Sequence, residues 1–280
     1  MFKFKSLLTA GLLGFSLTLN LVHAADPKPL RVLLITGGCC HDYAKQKDIL
    51  KQGLEARANL IVDQIHSDSG DTKPPLAIYG NADYAKGYDV VIHDECAADV
   101  NDPAIIKGVI APHRAGIPGV NLHCAMHCYR IGNPAEPVTA GAERAMWFEY
   151  LGLQSSGHGP QQPIAISYTN KTQAILRDLG DWTTINEELY NNIQILPTST
   201  PLACGKQITK NKDGTPKETE TVVAWVNDYR GTRVFSTTIG HNNTTVADAR
   251  YLDLVTRGLL WACDKLDAQG KSKPGYGPRP

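Results

Sequence analysis

The feature that most constrains the fold is an alternation, through the first half of the chain, of short apolar runs with segments of helical period. Arg31 to Thr36 (RVLLIT) is a nearly unbroken apolar run stopped by Gly37-Gly38, and Lys45 to Arg57 repeats apolar or small positions at Ile49, Leu50, Gly53 and Leu54. Leu60 to Ile65, Asp89 to His93 and Gly119 to His123 are further strand candidates, with a helix from Pro103 to Arg114 between the last two. Strands without polar alternation are buried on both faces, and strands that alternate with helices build βαβ units. The expected fold class is therefore α/β, with a mostly parallel sheet and helices on both faces.

The second half is less regular. A helix is expected over Ala140 to Leu151, strands over Pro163–Tyr168, Ile193–Pro197, Thr221–Val226 and Arg233–Ile239, and a last helix from Val246 to Asp264. Lys206 to Glu220 is polar and bears Gly and Pro, which predicts a hairpin or an exposed loop. The tail from Gln269 (QGKSKPGYGPRP) has almost nothing to bury, so disorder is expected over 269–280, leaving one domain over 25–268.

Lys3 and Lys5 precede an apolar run from Leu7 to Val22 that ends in Val22-His23-Ala24, which predicts a signal peptide over 1–24 and export, to the periplasm of a bacterium. The run is broken by Ser16, Thr18 and Asn20 and falls short of the roughly 20 apolar residues of a spanning helix. With 28 basic and 28 acidic residues the chain offers no electrostatic reason to expect nucleic acid or a membrane surface as partner; a small ligand fits better.

In an open parallel sheet, ligands bind beyond the carboxyl ends of the strands. After the first strand comes Gly37-Gly38-Cys39-Cys40-His41-Asp42-Tyr43, after the third His93-Asp94-Glu95-Cys96, and after the fourth His123-Cys124-Ala125-Met126-His127-Cys128. Each of these strand ends delivers His and Cys, which predicts one shared site. The His123-x-x-x-His127 spacing can bring two rings to one helical face, but neither HExxH nor paired CxxC accompanies it, so a metal-free site is the expectation.

Those segments, together with Ser156-Gly157-His158-Gly159-Pro160, Asn186-Glu187-Glu188-Leu189-Tyr190 and Ile239-Gly240-His241-Asn242, resemble the trehalose-utilisation (ThuA-like) family over nearly all of the chain beyond residue 24. The resemblance implies a flavodoxin-like core related to class I glutamine amidotransferases and a role in disaccharide and keto-sugar catabolism. Amidotransferases place a nucleophilic Cys on a strained strand-to-helix turn. Here Asn121-Leu122-His123-Cys124-Ala125 occupies that turn, with His123 at the nucleophile position and no His-x-Glu to complete a triad, so glutamine hydrolysis is disfavoured. A shift of one residue in the matching would restore Cys124.

His123 is accordingly expected as general acid or base, since imidazole exchanges a proton near neutral pH, with Glu188 and His241 completing the catalytic set. His41, Asp42, Asp94, Cys124, His158 and Tyr190 are expected to bind substrate, a small-molecule carbohydrate. Asp42 and Asp94 would orient imidazoles or cap helices. No cofactor is expected; the alternative is a divalent metal such as zinc on His41, His123, His158 or His241 with Glu188. Trp147, Trp182 and Tyr190 would stack on a sugar or pack in the core. The activity so implied is lyase or hydrolase action on a disaccharide derivative or 3-keto-glycoside. A non-catalytic carbohydrate-binding protein and a cysteine hydrolase using Cys124 stand as alternatives. Of the seven Cys, an odd number, at least one stays unpaired. Neighbouring strands lie roughly 4.8 Å apart, so Cys96 is expected to pair with Cys39 or Cys40, or with Cys124 if the strand order is 2-1-3-4. Cys204 and Cys263 are expected to be isolated.

Overall fold

The computed structural model describes residues 1–2 and 27–279, so the expected signal peptide lies outside the described residues but for its first two. In chain order the elements are β1 (Leu30–Gly38), α1 (Tyr43–Glu55), β2 (Leu60–Ser67), β3 (Val90–Cys96), α2 (Pro103–Arg114) and β4 (Gly119–Leu122). A 3-10 turn (His123–His127) and α3 (Met146–Leu151) follow. Then come β5 (Leu153–Tyr168), β6 (Trp182–Ile195), β7 (Ser199–Lys210), β8 (Pro216–Tyr229), β9 (Thr232–Thr237), α4 (Asn243–Val246) and α5 (Ala249–Ala262).

Among the described residues, nine strands form one sheet in the order β2-β1-β3-β4-β9-β8-β7-β5-β6. It is parallel from β2 to β9 and antiparallel from β9 to β6. The parallel half is the flavodoxin-like core. Its strand β1 is buried at every position but Arg31, which is why it reads as one apolar run. Val32 and Leu34 face α1 and α5, while Leu33 and Ile35 face α2 and α3, so helices cover both faces. The antiparallel strands are half exposed and reach further than expected: β6 begins at Trp182, well before the expected Ile193, and Lys206–Glu220 is the tip of the β7–β8 hairpin.

Local chemistry sets the helix ends. Asp102 caps α2 by accepting from the Ala104 amide, with Pro103 in the first turn. The expected last helix is α5, which starts three residues later because Asp248 caps it by accepting from the Arg250 amide, while Val246 closes the short α4. The expected helix from Ala140 is only α3, behind a 3-10 turn at Glu143–Ala145, because Gly141 has a φ of +81° that no helix accommodates. The tail also differs from expectation. The Asn59 amide and side chain donate to the carbonyls of Tyr276 and Gly275 at 3.1 and 2.9 Å, and Tyr276 packs on the core under Lys265. No helix among the described residues is long and apolar enough to cross a membrane.

Candidate functional site

Two glycines bring the first segment into the site. Gly37 and Gly38 have φ of +124° and +105°, and a Cβ on either would collide with the backbone of Ser67 or Cys96 on the flanking strands. The chain thus turns sharply over the carboxyl edge of the sheet, setting Cys39, Cys40 and His41 there. Beyond β4, His123 adopts a φ of +42°, and beyond β9 the segment Thr238–His241 closes the edge. Glu187 fixes that last turn: its carboxylate accepts from the amides of His241 and Asn242 at 2.8 and 3.0 Å.

The antiparallel half completes the site. The β5–β6 ribbon pairs His158 with Tyr190 and Gln161 with Glu188, and three register shifts between Gln154 and Gln161 bend it over the carboxyl edge. Glu188 then lies among imidazoles. Its Oε1 is 3.2 Å from His241 Nδ1, and its Oε2 is 3.5 Å from His123 Nε2 and 3.7 Å from His158 Nε2. Burial works to raise its pKa, but the nearby imidazoles of His123, His241 and His158 outweigh it, holding the carboxyl well below the usual range. The contact with Glu188 raises His241 against the opposing effect of burial. His41 is pushed down to about 2, by burial first and then by His123 and His241, so it is neutral. Beside these groups opens a depression of about 500 Å³ lined by Cys40, His41, Asp42, His241, Asn242 and Asn243, within the span of roughly 300 to 1,000 Å³ typical of small-molecule sites.

The sequence profile of the family described as trehalose utilisation (ThuA) matches residues 31–262. The chain belongs to this family. A ThuA-like protein of Parabacteroides merdae superposes with a TM-score of 0.60 at 20% identity, over 90% of this chain and 98% of that one. One from Bacteroides uniformis does so at 0.58 and 15%, over 86% and 94%. A GMP synthase component from Thermoplasma acidophilum, at 0.50 and 10% over 85% and 96%, shares the fold. No curated protein matches the chain. ThuA membership points to sugar utilisation and places the fold in the glutamine amidotransferase-like superfamily.

In this ThuA chain His41, His123, His158, Glu188 and His241 converge, and other expected site residues do not. Asp42 sits at the rim, where its carboxylate takes hydrogen bonds from Lys45 and Asn243; these lower its pKa, and it neither caps α1 nor orients an imidazole. Asp94 is buried in β3 with Oδ2 unpartnered, its pKa raised by burial and by Glu95. His93 points to the opposite face of β3, to Glu95 and His113. His127 stacks on Tyr190 at 4.1 Å and its Nε2 bonds to Ser155, which turns it away from the cluster. Tyr190 is itself buried and lies against His123 rather than open to a ligand. Trp147 and Trp182 are core residues. Gln161, Glu187 and Thr238 were not expected; only the paired acids Glu187-Glu188 hinted at one of them.

The cysteines correct two expectations. Cys39 is bonded to Cys40, its own neighbour, and Cys96 is free, with its Sγ 3.5 Å from Cys39 and 2.8 Å from Cys124. Strand spacing brought these sulfurs together as expected but joined none of them. A helix amino terminus would lower a thiol pKa, but the Cys124 thiol donates to Cys96 and is buried, both of which raise it, and the helix there is only a short 3-10 turn. A buried, protonated thiol is a poor nucleophile.

Among the described residues, two groups have metal-ligand proximity: Cys39, Cys40 and Cys96, and His41, His123 and His241. The first is compromised as a ligand set because two of its sulfurs are bonded to each other.

Proposed function

We propose that this protein is an exported enzyme that cleaves a disaccharide derivative already oxidised at C3, a 3-keto-glycoside, by elimination. A ketone at C3 acidifies the hydrogen on C2. Glu188 takes that proton, the electron pair forms the C1–C2 double bond, the C1–O bond to the second sugar breaks, and His158 protonates the departing oxygen. The products are an unsaturated keto sugar and a free sugar; no electrons leave the pair, so no redox cofactor is needed.

The observation that carries this reading is Glu188, a carboxylate held charged within 3.7 Å of three imidazoles, one of which, His241, lines the depression. A base and an acid side by side are what elimination requires. His158 suits the acid because its side chain is 43% exposed and reaches the leaving group from outside. The sugar class rests on ThuA membership, and export rests on the amino-terminal sequence.

Incubating the purified protein with trehalose and with 3-keto-trehalose tests it. The oxidised sugar alone should release glucose, and Glu188→Gln should lower turnover by roughly 100-fold or more. Release from neither sugar sinks the reading, and tight binding without product would replace it with the carbohydrate-binding one.

A further inference from the structure

We infer that His41, His123 and His241 form a three-histidine site for a divalent cation of the zinc class, with Glu188 beside its open coordination position. The inference deepens the proposed elimination, in which the ion would polarise the C3 ketone, but it stands on geometry of its own.

One ring nitrogen from each histidine lies within 4.8 Å of the other two. The buried ring nitrogens His41 Nδ1, His123 Nε2 and His241 Nδ1 have no hydrogen-bond partner among the described residues. Buried polar atoms are nearly always satisfied, so three orphans on neighbouring rings call for a common partner. The 3.2 Å approach of His241 Nδ1 to Glu188 does not satisfy it, because the carboxylate lies off the line of a ring N–H.

His123 shows why the partner is a cation. Its Nδ1 is 2.7 Å from the Thr238 carbonyl oxygen, which can only accept, so Nδ1 carries the hydrogen and Nε2 the lone pair. That lone pair faces Glu188 Oε2 at 3.5 Å, acceptor against acceptor. A positive ion between them turns repulsion into attraction. A backbone carbonyl that fixes the tautomer and aim of a ligating imidazole is the usual outer support of a metal site. His241 has its own: Glu187 anchors its amide at 2.8 Å, and its Nε2 is 2.8 Å from the Gln161 amide nitrogen, a group whose oxygen and nitrogen are interchangeable by a flip.

Tetrahedral zinc with bonds of roughly 2.0–2.1 Å sets ligand nitrogens about 3.4 Å apart. The rings, already within 4.8 Å, therefore have at most about 1.4 Å left to close. Three neutral nitrogens without sulfur favour zinc, cobalt or nickel over calcium or magnesium. Three protein ligands with one open position is the catalytic rather than the structural pattern.

The test is to strip the full-length protein with a chelator and titrate it with Zn²⁺ by calorimetry, and with Co²⁺ by visible absorption. One Zn²⁺ per chain is expected, with an intense tetrahedral cobalt spectrum. His41→Gln and His241→Gln, each checked by circular dichroism for an unchanged fold, should weaken binding by roughly 100-fold or more, and Cys96→Ser should leave it unchanged. Absence of stoichiometric binding overturns the inference, as does binding that survives both histidine variants. Turnover of 3-keto-trehalose by metal-free protein would sink the metal and keep the sugar reading, whereas stoichiometric zinc without turnover of any oxidised disaccharide would do the reverse.

Discussion

His123 holds a φ of +42°, a conformation that costs a non-glycine residue about 1–3 kcal/mol and persists where the surroundings over-determine it. Here the Thr238 carbonyl holds the ring on one side and Tyr190 packs against it on another, at a centroid distance of 5.1 Å. The adjoining Cys124 faces Cys96 instead. The two neighbours should therefore behave oppositely. Cys124→Ser keeps a donor toward Cys96 and should retain turnover within about tenfold, roughly 1.4 kcal/mol of barrier. His123→Ala should lose turnover by orders of magnitude while remaining folded. Steady-state kinetics of both variants on an oxidised disaccharide decide the matter; a trapped covalent adduct at Cys124, with collapse of Cys124→Ser, would make the thiol the nucleophile.

At the scale of elements, the site is made where two kinds of strand meet. The parallel strands and their helices were legible because β1 and β3 are buried on both faces and α2 has its own cap, so local sequence and burial agree. His41 and His123 were legible for the same reason, as residues that follow strand ends, whereas His241 came with the family resemblance. The β5–β6 ribbon was not: its register shifts break the two-residue alternation that marks a strand, which hid how far it reaches and the roles of Gln161 and Glu187. Glu188 and His158 were found only through the family resemblance. The β1 turn carries an element-scale prediction. In Gly38→Ala the new Cβ meets the Cys96 carbonyl at a φ of +105°, so β1 must separate from β3 or the turn must move. The expected loss is about 1–3 kcal/mol in urea unfolding, with weakened zinc binding because His41 is displaced. An unchanged unfolding midpoint would show that the turn relaxes freely.

Across the whole molecule the sheet separates two buried polar systems. The candidate site lies at the carboxyl edge; on the face covered by α2 and α3, His113 sits fully buried between the ring of Tyr150 and His93 of β3, whose other ring nitrogen pairs with Glu95. His113 Nδ1 donates to the Ile117 carbonyl at 2.7 Å, leaving Nε2 to face His93 at 3.1 Å. Burial first, and the neighbouring His93 second, push the His113 pKa down to about 3. In the unfolded chain the same imidazole titrates near 6.5. Between those values the unfolded state binds a proton that the folded state refuses, so the stability this residue contributes is complete above pH ~6.5 and falls as the pH drops toward 3. One such group gives a slope of at most about 1.4 kcal/mol per pH unit. His113→Asn places an amide N–H where Nδ1 was and removes the titration. Urea unfolding of the wild type across that window should therefore lose stability more steeply than unfolding of His113→Asn, although the variant starts lower near neutral pH. Equal slopes in the two proteins would mean that the acid sensitivity of the fold resides in other groups.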